Sequence, residues 1–154
     1  MTDKEIKMSD VVHFSPKQLE ATNAADEHTY ILYGGAAYGG KSYWLRWYPI
    51  IKLIKWHKQL GLKGIRAGLF CEDYPALKDR HISKMQYEFP DWMGDLKDDS
   101  NEWLGFYLKK DFGGCALLLR NLYDPSKYQS SEFAIIAVDE LTKNQRDRFD
   151  FLRF

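Results

Sequence analysis

The chain has 154 residues, with 22 basic against 22 acidic side chains and 45% hydrophobic residues, which is one domain's worth of sequence without net charge. That balance excludes a polybasic coat for nucleic acid or a membrane surface, and the 16% aromatic content excludes disorder as the main state. No apolar run of 18 residues and no basic-flanked apolar start occurs, so neither a membrane span nor a signal peptide is legible and a cytosolic setting is expected.

Ser15 before Pro16 reads as a helix N-cap followed by proline in the first turn, predicting a helix over 16–25. TYILYG, at 29–34, is short, β-branched and aromatic and runs into glycines, as a buried strand does. Beyond it Trp44, Leu45, Trp47, Tyr48, Ile51, Ile54 and Trp56 recur at helical spacing, predicting a helix from Gly40 or Lys41 that Pro49 should end or kink after about two turns. IRAGLFCED predicts a second strand, and YPALKDRHISKMQYEF a second helix with Pro75 in its first turn. The acidic stretch from Glu88 to Glu102 reads as polar and turn-rich. EWLGFYLKK and CALLLRNL predict a hairpin or two successive strands, residues 133–138 a further buried strand, and LTKNQRDRFDFLRF a last helix. Cys71 and Cys115 sit in apolar runs without a second ligand nearby, which suits reduced core thiols. Strands that are apolar throughout and alternate with helices imply an α/β domain with a parallel sheet covered on both faces.

Gly35, Ala36, Ala37, Tyr38, Gly39, Gly40, Lys41 and Ser42 fit G-x-x-x-x-G-K-[ST], between a predicted strand and a predicted helix. Glycines let backbone N–H groups converge on phosphate oxygens, and the helix start adds its dipole. Lys41 would reach the β- and γ-phosphates, and Ser42 would ligate Mg2+. The run FAIIAVDE places two carboxylates at a strand's carboxyl end, where open α/β sheets bind ligands. Asp139 is expected to hold Mg2+ and Glu140 to activate water as general base. No Asn-Lys-x-Asp guanine signature occurs, so ATP is the expected nucleotide.

FSPKQLEA, YGGAAYGGKSYWLRW and LYDPSKYQSSEFAIIAVDEL, in this order, with GLFCEDYPALKDRHISK between them, resemble the ATPase domain of the large terminase subunit, the DNA-packaging motor of tailed bacteriophages. The resemblance runs from about residue 14 to 154. It implies a RecA-like P-loop fold with a mainly parallel sheet flanked by helices, and ATP hydrolysis that drives double-stranded DNA into a procapsid. It also implies a homo-oligomeric ring, a portal protein and a small terminase subunit as partners, and a place in the host cytoplasm and transiently at the procapsid portal. Gln18 takes the position of the family's adenine-positioning Gln. Family members continue into a coupling motif on a further strand and a nuclease domain, so residues 1–154 are expected to form a partial ATPase domain with an incomplete sheet and no nuclease domain. Where many terminases carry an Arg in the phosphate loop this chain has Ala37, leaving Arg46, Arg66, Arg80, Arg120 or a neighbouring subunit to supply a charge-stabilising arginine. A helicase or recombination-type ATPase shares the same motif pair, and a nucleotide-binding module without turnover is the non-enzyme alternative.

Lys41 to Arg66 holds seven basic residues and no acidic one, and its part from Lys52 to Arg66 reads as either a DNA-backbone contact or a solvated helix face. Trp44, Trp47 and Trp56 are expected in the core. His13, His28, His57 and His81 show no ligand spacing and are expected at exposed or capping positions.

Overall fold

Ser15 opens the first described α-helix as its sequence predicts. A computed structural model describes residues 7–34, 40–100, 102–123, 132–141 and 146. In it Ser15 Oγ accepts from the Gln18 N–H and Gln18 Oε1 accepts from the Ser15 N–H, a reciprocal cap that starts helix α1, Pro16–Glu27. Residues 29–34, expected as a buried strand, form none: Tyr30 and Leu32 are 68% and 81% exposed. A β-branched run has no stability of its own as a strand without a ladder to join, and none is offered to it among the described residues.

Helix α2 runs unbroken through Lys41–Leu60, so Pro49 does not end it. Proline in a helix interior costs about 3 kcal/mol. Ile50, Leu53 and Ile54 are at most 4% exposed, and full burial of each contributes about 1.5–3 kcal/mol, so packing outweighs the lost hydrogen bond. Gly61, in the left-handed conformation at φ 67°, closes the helix.

Strand β1, Arg66–Cys71, follows. The predicted second helix forms in three pieces: α3, Tyr74–Leu77, capped by the Asp73 carboxylate; a π-helical turn, Lys78–Ile82; and α4, Ser83–Glu88. The acidic stretch expected to be only turns contains strand β2, Gly94–Lys97, paired antiparallel with β3, Gly105–Leu108. Its alternation was masked by charge, because Asp95 and Lys97 occupy its outward positions. Among the described residues, strand β4, Ala116–Asn121, and β5, Ile135–Val138, complete a five-stranded open sheet in the order β2-β3-β4-β1-β5.

The sheet is mixed rather than mainly parallel. β1 is parallel to β4, with Arg66 opposite Ala116, and to β5, with Ala67 opposite Ile135, while β3 is antiparallel to both β2 and β4. The connection from Leu108 to Ala116 is too short for a crossover, so β4 must return antiparallel to β3. β5 lies at the sheet's edge in the described residues, and Ile136 is 39% exposed instead of buried as expected.

Alternate residues Ala67, Leu69 and Cys71 of β1, Leu117 and Leu119 of β4 and Ala137 of β5 join Trp47, Ile50, Leu53 and Ile54 of α2 in one core. Trp44 and Trp47 are buried and Trp56 packs partly against this core, as their spacing predicts. Cys71 and Cys115 are free and buried, and burial, helped by the Asp139 charge, pushes the Cys71 thiol up to about 12. No described helix is long and apolar enough to cross a membrane. The helix expected after Glu140 falls on residues outside those described, apart from Leu141 and Arg146.

Leu53→Ala should lower the unfolding free energy by about 2–5 kcal/mol in urea denaturation, against less than about 0.5 kcal/mol for the exposed Tyr87→Ala. Equal effects would mean that α2 is not the core helix.

Candidate functional site

The carboxyl ends of the parallel strands β1 and β5 and the amino end of α2 converge. Gly40 is the N-cap of α2 at φ 73°, a conformation L side chains resist, and no acidic residue occupies the first turn of that helix. Gln18 of α1 donates from Nε2 to the Gly40 carbonyl at 2.9 Å, and a Cβ on Gly40 would come within 2.4 Å of that nitrogen. Gln18 is 5% exposed with both ends of its amide engaged, Oε1 by Ser15 and Nε2 by Gly40. The adenine role that the resemblance implies would therefore fall to its second amide hydrogen, while the first ties α1 to the end of the loop. Gly35, Ala36, Ala37, Tyr38 and Gly39 lie outside the described residues.

Lys41 and Ser42 are the first two residues of α2. Ser42 Oγ donates to Asp139 Oδ2 at 3.0 Å, so the serine of the glycine-rich motif meets the first carboxylate of the Asp-Glu pair. Asp139 directly follows β5, and its N–H donates to the Phe70 carbonyl at 2.9 Å, which extends the β5–β1 ladder by one residue and fixes where the side chain leaves the sheet. Glu140 is exposed and carries φ 51°, the sole non-glycine residue with positive φ among those described. Such conformations store strain and recur at functional positions.

Nothing in the residue spacing signals the contact that His81 makes. His81, expected exposed or capping, is 0% exposed, and its Nε2 lies 2.8 Å from Asp139 Oδ2. Its Nδ1 lies 3.1 Å from Arg46 Nη1. A guanidinium only donates, so Nδ1 accepts and the ring hydrogen sits on Nε2, donated to Asp139. Arg46 is itself held by a bidentate pair with Glu88 at 2.8 Å and by the Arg80 carbonyl at 2.9 Å. Burial holds the His81 pKa below its ordinary 6.5 despite the neighbouring Asp139. Burial also pushes the Asp139 carboxyl up, but hydrogen bonds from His81 and Ser42 and the charge of Arg80 outweigh it, and the group stays below the ordinary carboxylate value. The pair is a neutral imidazole donating to a carboxylate.

Of the four arginines considered, Arg46 is buried and committed to Glu88 and His81. Arg66 begins β1, roughly 16 Å along the strand from the site end. Arg120 donates to the carbonyls of Glu102, Leu104 and Leu119. Arg80 pairs with Glu72 at the carboxyl end of β1 and bears electrostatically on Asp139. Along the basic stretch, Lys52 is paired with Asp26 at 2.9 Å, whereas Lys55, Lys58 and Lys63 are exposed.

The donor set discriminates between metals. A hydroxyl and an ionised carboxylate, Ser42 and Asp139, are hard oxygen ligands that suit Mg2+. Cys71, His81 and Asp139 also bring ligand atoms within 4.8 Å of one another. A softer ion there would need the His81 Nε2 lone pair and hence a hydrogen on Nδ1, which Arg46 already faces with its own hydrogen. It would also need a Cys71 thiolate, which burial opposes. These residues do not fit a zinc site.

Gly40→Ala should destabilise the chain by at least about 1–2 kcal/mol, from the left-handed φ alone, in thermal or urea unfolding. Acidification has a defined sign. Below pH 6.5 the unfolded chain protonates His81 while the folded chain resists, so stability should fall between pH 7 and 5.5 by up to about 1.4 kcal/mol per pH unit from this group. His81→Gln should flatten that slope, and an unchanged slope would show that His81 is not the group responsible. No family model, curated protein or solved structure matches this chain.

Proposed function

We propose that the chain binds ATP across Gly35 to Ser42, with Mg2+ held by Ser42 and Asp139, and hydrolyses it as the ATPase of a DNA-packaging motor with RecA-like P-loop architecture. The observation that supports this reading is the 3.0 Å hydrogen bond from Ser42 to Asp139, which joins two motifs 97 positions apart. With its hydrogen directed at the carboxylate, the serine hydroxyl keeps its lone pairs for a cation. Mg2+, when bound, neutralises charge on the β- and γ-phosphates.

The remaining roles belong to the chain itself. N–H groups at the start of α2 and the Lys41 ammonium bind phosphate oxygens. The second amide hydrogen of Gln18 positions the base. Glu140, exposed at the strand's end with a φ of 51°, takes the proton of the attacking water. Exposed Lys55, Lys58 and Lys63 supply sequence-independent contacts to the phosphates of double-stranded DNA.

A second reading, nucleotide binding without turnover, uses the same groups at the start of α2 without water activation by Glu140. A helicase or recombination-type ATPase would use the same groups and is distinguished by unwinding or strand exchange.

Titration calorimetry with Mg–ATP and a phosphate-release assay on the same sample test the proposal. Binding should be lost in Lys41→Ala. Glu140→Gln should keep binding and lose at least about 100-fold in turnover, as removal of a general base does. Retained micromolar affinity in Lys41→Ala would sink the assignment; binding with no turnover in the unaltered chain would favour the second reading.

A further inference from the structure

Ser42 and Arg46 stand one turn apart on the same face of α2. Ser42 donates to Asp139, and Arg46 donates to the ring that itself donates to Asp139. The contacts therefore close a ring through four side chains, Ser42, Asp139, His81 and Arg46, completed by the backbone of α2. Three elements take part: the amino end of α2, the carboxyl end of β5 and the π-helical turn. The π turn carries both groups that Arg46 Nη1 meets, the Arg80 carbonyl at 2.9 Å and His81 Nδ1 at 3.1 Å, and π turns concentrate at functional positions. Glu88 accepts from the other two guanidinium nitrogens, Nε and Nη2, and holds Arg46 in the plane needed to meet His81.

We propose that His81 is a positioning residue for the magnesium–nucleotide site: its imidazole, locked by Arg46 and Glu88, fixes the rotation of the Asp139 carboxylate that faces Ser42. This rests on the nucleotide reading above. Asp139 Oδ2 receives both hydrogen bonds, so two donors carried by different elements converge on one oxygen and restrain the rotation of the carboxylate. With Ser42 alone, the carboxylate turns about its last torsion, and a buried anion loses a partner. Groups one shell behind a metal ligand characteristically act this way, and their loss lowers metal affinity about 10–100-fold. Nothing in this role transfers a proton; the ring stays a donor at Nε2 and an acceptor at Nδ1 throughout.

The test separates positioning from simple support of the fold. ATP affinity is measured by calorimetry with Mg2+ and in EDTA, on the unaltered chain, His81→Leu and His81→Gln. The ratio of the two affinities should drop about 10–100-fold in His81→Leu while affinity for metal-free ATP stays within about twofold. His81→Gln, whose amide can donate to Asp139 and accept from Arg46, should restore most of the ratio. An unchanged ratio in His81→Leu overturns the proposal, as does an equal loss with and without Mg2+. Should His81→Leu fail to fold, 15N NMR of the imidazole in the unaltered chain remains decisive. A hydrogen on Nε2 with Nδ1 bare supports the ring, and the opposite tautomer overturns it. An unaltered chain that binds ATP in neither condition overturns the nucleotide reading and this role together, whereas a normal response to Mg2+ in His81→Leu overturns this role alone.

Discussion

A carboxylate taken out of water must be met by donors or surrender its charge, and the arrangement around Asp139 follows from that requirement. The side chain is 7% exposed, and the Ser42 hydroxyl, the His81 imidazole and the nearby Arg80 charge keep it ionised. Each donor is delivered by a different segment, and each must be held in turn. Ser42 is placed by the start of α2, which Gly40 permits and Gln18 secures. His81 is placed by a π-helical turn and oriented by Arg46, which Glu88 fixes. Removing any one partner leaves a buried polar group unmet, so the network behaves as a unit.

The same geometry bears on the choice of cation under the proposed nucleotide function. Cys71, His81 and Asp139 look at first like a ligand triad, yet donor counting directs His81 toward hydrogen bonding, and Cys71 remains a thiol. What is left for a cation is oxygen, from a hydroxyl and a carboxylate, the chemistry that magnesium prefers. Arg46 enters the site indirectly: a candidate charge-stabilising arginine is consumed in aligning a histidine.

Packing overrode local preference in three places. Pro49 sits inside a continuous helix because the apolar face of α2 gains more by burial than the missing backbone donor costs. Residues 30–34, with strong β propensity, remain outside the sheet, because a strand exists only through its neighbours. The stretch around Gly94 became strand β2 despite its acidic composition, since β3 offered a ladder to pair with and its charges point outward.

Local signals carried much of the remainder. Ser15 and Pro16 marked the start of α1, helical spacing marked α2 and its core tryptophans, and apolar runs marked β1, β4 and β5. Those features depend on hydrogen bonds and burial within a few residues of chain, so they are written in the order of residues. The two motifs that meet in the site were legible for a similar reason, each being a short stretch whose chemistry is complete in itself. The mixed pairing of the sheet, the edge position of β5 and above all the partnership of His81 with Asp139 depended on the tertiary structure. His81 and Asp139 are 58 positions apart, and Arg46 and Glu88 42 apart. No spacing encodes such pairs; they exist because the sheet register and the π-helical turn carry one side chain to another, and only the folded chain brings them within hydrogen-bonding distance.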